Sequence, residues 1–133
     1  MITHHKAIGK GNWGQTAESV RLVETARQRG VDVSIDQYPY TASHTGTAAL
    51  FPSWAQEGGH ENLVERLQDP ESRARIKKEV AHRIKVDRGG GDPRNVQFSH
   101  CEFDTSLDGK TLADATRERG REVSFESANF VIS

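Results

Sequence analysis

At 133 residues the chain has the length of one domain, yet a complete (β/α) barrel takes roughly 250 residues, so any barrel it belongs to is expected to extend beyond it. Its 34% hydrophobic content and mean hydropathy of −0.72 are low for a self-contained parallel core, which needs near-continuous apolar strands. Eighteen basic and 19 acidic side chains sum to a net charge of −1, which excludes the field needed to gather nucleic acid or an anionic membrane.

No apolar run approaches the roughly 18 residues that span a bilayer, and the N-terminus has no signal-peptide core. The lone Cys101 excludes an internal disulfide framework and fits a reducing compartment, so a soluble, cytoplasmic setting is expected.

In chain order, Met1 to Lys6 reads as the end of a strand, followed by a glycine-punctuated loop through Gly9, Gly11 and Gly14. Thr16 to Arg29 carries Val20, Val23 and Ala26 at helical spacing and stops at Gly30. Val31 to Ile35 alternates apolar and polar residues, the period of a strand, which places Asp36 to Tyr40 at its C-terminal end. Strand, helix and strand with tight connections predict a right-handed crossover whose two strand ends open on one side.

Thr41 to Gly59 reads as an irregular loop anchored by Leu50-Phe51-Pro52 and Trp54. Two helices are predicted next. Glu61 to Gln68 presents Leu63, Val64 and Leu67; Asp69-Pro70 then supplies an N-cap and an N1 proline for a helix to about Lys85, with Ile76, Val80 and Ile84 on one face. The Gly89-Gly90-Gly91-Asp92-Pro93 breaker leads to a third predicted strand, Asn95 to His100, with Val96 and Phe98 on one face. Lys110 to Arg119 and Phe125 to Ile132 read as two further helices. The expected fold class is α/β, a partial barrel in three parts: a site-bearing strand–helix–strand unit over 1–45, a helical insertion over 46–93, and a resumed barrel strand with following helices over 94–133.

Polar and aromatic groups gather at the ends of the first two strands: Thr3-His4-His5-Lys6, Asn12-Trp13-Gly14 and Asp36-Gln37-Tyr38-Pro39-Tyr40. Neighbours on an extended strand point to opposite faces, so only one of His4 and His5 can serve one site, while Lys6 shares the face of His4. Catalytic zinc normally takes three protein ligands, so the pair is not a metal motif by itself. A lysine is most often simply solvated; at a strand end its ammonium can also hold a carboxylate. Tyr38, stiffened by Pro39, can donate its phenol to a carboxylate or a carbonyl, or be satisfied within a packed corner. Asp36 suits a strand-end hydrogen-bond anchor better than a catalytic base, and Asn12-Trp13-Gly14 shapes the loop. His100, Cys101 and Asp104 form a second candidate metal set, but adjacent residues diverge and no CxxC or HxxxH partner exists, so a structural role is expected. His44, His60 and His82 lack ligand spacing. There is no GxSxG elbow, P-loop or GxGxxG.

These strings resemble the N-acyl-D-amino-acid deacylase (D-aminoacylase) branch of the amidohydrolase superfamily, most closely over Thr3 to Ser43 and again over Asn95 to Gly120, where Gly109-Lys110-Thr111-Leu112-Ala113 is similar. The resemblance implies a zinc-dependent barrel hydrolase that releases a D-amino acid and a carboxylate from an N-acyl-D-amino acid. It assigns zinc ligation to His4 and substrate binding to Lys6 and Tyr38, and it gives His5 a supporting role and the insert near Leu63 to Ile84 a covering one. It assigns no catalytic base in this stretch: the His-x-His strand and ligand cysteine expected upstream and the aspartate expected downstream are missing, and Cys101 does not occupy the cysteine-ligand position. The expectation is therefore a fragment inactive on its own. The alternative is a non-catalytic α/β interaction or structural domain, for which self-association through exposed strand edges is the expected behaviour.

Overall fold

The computed structural model describes residues 1–124, a mixture of helices and a small parallel sheet arranged as two compact units, 1–43 and 44 onward. The predicted helix over Phe125 to Ile132 lies outside the described residues. Among the described residues, no helix is long and apolar enough to cross a membrane.

The first unit consists of strand β1 (Ile2–His5), helix α1 (Thr16–Gln28) and strand β2 (Ile35–Gln37), with a 3₁₀ turn at Lys10–Asn12. The helix forms where its spacing predicts, and Val20, Val23 and Ala26 are its half-buried apolar face. It ends in a Schellman motif: Gly30, at φ 84°, donates to Arg27 O (2.9 Å) and Val31 donates to Ala26 O (3.1 Å). That cap corrects the predicted second strand. Val31 spends its N–H on the helix and remains exposed, so pairing begins only at Ile35 instead of at Val31. Asp36 and Gln37 consequently lie within β2, and Tyr38 is the first residue beyond it.

β1 and β2 pair in parallel, which sets both C-terminal ends at one edge of the sheet. Their register slips: Ile2 faces Ile35 and His5 faces Gln37, so three steps along β1 match two along β2. The extra residue makes a bulge, and within it His4 adopts φ 55°, the only non-glycine residue with positive φ among those described.

The second unit is built around helix α4 (Pro70–Val86), with helices α2 (Ser53–Gln56), α3 (His60–Gln68) and α5 (Leu112–Glu118) contributing to it. Ile76, Val80 and Ile84, four residues apart, are fully buried and pack with Phe51, Ala55, Leu107, Leu112 and Ala115. The stretch predicted as irregular holds more order than expected. A 3₁₀ turn at Thr47–Leu50 and the short α2 form because Pro52 fixes the entry to that helix and Trp54 is tied down, its Nε1–H donating to Glu79 Oε1 (2.9 Å) beneath the Arg75 guanidinium, 4.1 Å from the ring.

Asp69 caps α4 as its position before Pro70 predicts, accepting from Ser72 N at 2.8 Å. Hydrogen bonds from the Ser72 hydroxyl and backbone hold its carboxyl below the usual range. A depressed folded-state pKa stabilises above the unfolded value and ceases to do so as pH falls through the folded one. Asp69→Ala is therefore expected to lower the thermal midpoint at neutral pH, and the gap from the parent should narrow at acid pH, as the capping carboxylate is protonated. A gap that is the same at both pH values would show that the carboxylate is not the cap.

The third predicted strand is not part of a parallel sheet. Instead Val96 and Phe98 pair antiparallel with a returning segment: Leu112 N to Val96 O (2.7 Å), Phe98 N to Lys110 O (2.9 Å) and Gly109 N to Phe98 O (2.8 Å). The intervening loop turns back at Leu107 to Gly109, with Gly109 at φ 77°, so the nearest partner for this extended segment is its own continuation. Thr111 then starts α5 with a reciprocal capping box to Asp114.

Candidate functional site

The C-terminal edge of the two-stranded sheet collects His4, Lys6, Asp36, Tyr38 and Tyr40. The Tyr38 ring, half-buried, is the centre of the group. His4 meets it edge-on with centroids 5.5 Å apart, Tyr40 does the same at 5.1 Å, and the Lys6 ammonium lies 4.9 Å from its centroid. Each such ring contact contributes about 0.5–1 kcal/mol at an exposed site, so the cluster is oriented but not rigidly locked.

Polar contacts fix the backbone beneath it. His4 N–H donates to Asp36 Oδ1 at 2.6 Å, and Lys6 Nζ donates to His4 O at 2.7 Å. An ammonium has three hydrogens, so Lys6 retains two for an incoming acceptor. His4, Lys6 and Tyr40 are exposed, which leaves the group open to a ligand. The arrangement offers one cation, two phenols and one imidazole to a small anionic molecule.

His5 meets helix α1 instead. Its Nε2 lies 2.7 Å from Ser19 Oγ, and Ser19 gives its own proton to Thr16 O (3.0 Å). The serine can therefore only accept, which fixes His5 as the Nε2–H donor and ties β1 to the first turns of α1. Sequence reading places His5 in a supporting role but carries no signal for Ser19, because a helix-face serine fourteen residues away has no motif. Asn12 shapes its loop by donating from Nδ2 to Ile8 O (2.7 Å), while Trp13 stays exposed.

The second candidate set separates into structural parts. Asp104 caps the turn at Thr105–Leu107, accepting from both the backbone and hydroxyl of Ser106. Asp108, which sequence reading passed over, does the joining: its Oδ2 pairs with His100 Nδ1 (2.9 Å) and its Oδ1 accepts from Cys101 N (2.7 Å). The His100 hydrogen bond, helped by that of Cys101, holds the Asp108 carboxyl below its ordinary range. The available signal is an acidic residue directly before the turn glycine, Gly109. Cys101 is half-buried against the hydrophobic core. His44 pairs with Ser99 Oγ at 2.9 Å; His44, His60 and His82 are all exposed.

Among the described residues, no three His, Cys, Asp or Glu side chains converge on a point where a metal ion would sit. A catalytic zinc needs about three protein ligands, so these residues alone do not fit one.

No family model and no solved structure matches the chain. Among curated proteins it is similar to an N-acyl-D-glutamate deacylase of Alcaligenes xylosoxydans xylosoxydans, at 32% identity over 87 residues, 65% of this chain and 17% of that protein. It is also similar to a D-aminoacylase of the same organism, at 47% identity over 45 residues, 34% of this chain and 9% of that protein. The chain thus spans less than a fifth of the length of either relative over the matched residues. Over the matched residues the chain is thus similar in sequence to two proteins named as deacylases of N-acylated D-amino acids.

Proposed function

We propose that this chain supplies the carboxylate-binding part of an N-acyl-D-amino-acid hydrolase. The observation that carries the reading is the Lys6 ammonium poised over the Tyr38 ring, with His4 against the same ring. A substrate carboxylate would take the two remaining Lys6 hydrogens, and the Tyr38 hydroxyl would add a third donor. The pairing of ammonium and phenol suits a carboxylate better than a neutral group.

In this reading residues 1–45 are the site-bearing unit of a (β/α) barrel, 46–93 an insertion and 94–133 a return to barrel elements. His4 is the residue through which zinc would be held, as one ligand of several. Zinc would polarise the scissile amide and activate water when bound. No residue described here is assigned as the catalytic base, and the 133-residue chain alone is expected to lack turnover.

The test is isothermal titration of the chain with N-acetyl-D-glutamate, N-acetyl-D-methionine and their L-enantiomers, alongside hydrolysis assays of any longer protein that carries this segment. Binding of D-substrates with release of free D-amino acid by the longer protein supports the reading; equal indifference to all four compounds removes it.

A second reading has its own observation. The first unit leaves Ile2, Ile8, Trp13, Leu22, Val31 and Tyr40 exposed, and exposed large apolar side chains favour association where they adjoin. Concentration-dependent sedimentation without binding of any N-acyl amino acid would favour an interaction domain.

A further inference from the structure

We infer that Asp36 is a positioning residue that sets the direction of the His4 side chain by holding its backbone in a left-handed bulge. It rests on the deacylase reading only for what the cluster is aimed at.

The argument begins with the register slip. A regular ladder gives each inward-facing N–H an acceptor on the partner strand, but the extra residue in β1 removes His4 from that pattern. Its N–H is instead taken by a side chain of β2. Asp36 lies between the two paired positions of β2, Ile35 and Gln37, and its Oδ1 takes that N–H at 2.6 Å.

The conformation this bond supports is unfavourable by itself. A left-handed backbone is strained for a non-glycine residue, and histidine at φ 55° keeps it only if its surroundings offset that strain. Two groups do so from opposite sides. Asp36 holds the amide, and the Lys6 ammonium holds the carbonyl of the same residue at 2.7 Å. With both ends of His4 fixed, its ring is presented to Tyr38 at 5.5 Å. The carboxylate therefore acts on the ring through the main chain. It needs to be an acceptor in the right place, and it need not exchange a proton.

This separates Asp36 from a general base, because asparagine keeps an oxygen at the same position. The experiment is NMR on the full 133-residue chain labelled with ¹⁵N-histidine, which gives six backbone amides, with His4 assigned by the signal lost in His4→Asn. In Asp36→Ala the His4 amide should move upfield and exchange with solvent about tenfold faster or more. In Asp36→Asn it should stay close to the parent. The amides of His5, His44, His60, His82 and His100 report whether each variant is folded. An unmoved His4 amide in folded Asp36→Ala overturns the inference, as does Asp36→Asn behaving like alanine. Should alanine unfold the chain, the comparison of Asp36→Asn with the parent decides alone: a retained His4 shift supports the inference and a lost one overturns it. If the amide behaves as expected but no N-acyl-D-amino acid binds, the proposed function fails and the positioning role stands.

Discussion

Ile84→Ala is expected to cost the second unit about 2–5 kcal/mol, and Ile84→Val about 0.5–1.5 kcal/mol. Ile84 is fully buried, as are Val80 and Ile76 about one and two turns before it, and Leu112 meets the same cluster from α5. Removing the branched chain leaves a space that flanking elements fill only in part, because α4 is held at its start by the Asp69 cap and along its length by the Trp54–Glu79 bond. Whole-domain stability is typically about 5–15 kcal/mol, so the alanine variant approaches the limit of folding. Urea titration checks this by Trp54 fluorescence in a background where the exposed Trp13 is changed to phenylalanine. A loss under about 1 kcal/mol would mean that this stripe is not the organising core.

Lys6→Met is expected to weaken binding of an N-acetyl-D-amino acid by about 10–100-fold, the usual consequence of deleting a charged hydrogen-bond donor. Tyr38→Phe should weaken it less, by about 3–10-fold, since a neutral donor is lost while the ring beneath Lys6 and beside His4 remains. The control is the carboxamide analogue of the same ligand. It should bind parent and Lys6→Met with similar affinity. If the carboxylate and carboxamide lose affinity equally, Lys6 serves the shape of the site and not its charge.

Much of the local structure could be read from the sequence, because it follows from local rules. The α1 stripe, the Gly30 stop, the Asp69-Pro70 start and the Ile76–Val80–Ile84 face each depend on residues within a turn or two of one another. The errors share a different cause. Val31 to Ser34 has strand alternation but loses its first amide to the helix cap, and Asn95 to His100 pairs with its own return segment because the turn before Gly109 brings that segment back. Both outcomes depend on which hydrogen-bond partner the surrounding chain supplies, which alternation does not encode. At the candidate site, strand alternation in the sequence groups Lys6 with His4 and sets His5 apart. It does not foresee the bulge, since no residue type in Ile2-Thr3-His4-His5 marks one and the left-handed position is not held by glycine. Asp108 escapes sequence reading for a related reason: its two partners lie seven and eight residues earlier, joined only once the loop closes.

The left-handed backbone at position 4 also governs how that position can be probed by substitution. Valine, isoleucine or threonine there would fail through β-branching alone, whatever the imidazole does, and alanine mixes lost chemistry with backbone strain. A saturation library would then show depletion across most residue types and suggest an indispensable side chain even if only its conformation mattered. Asparagine tolerates the same φ while lacking a ring, and glycine tolerates it while lacking any side chain. Those two variants isolate the imidazole's own contribution, and a library should be normalised to them.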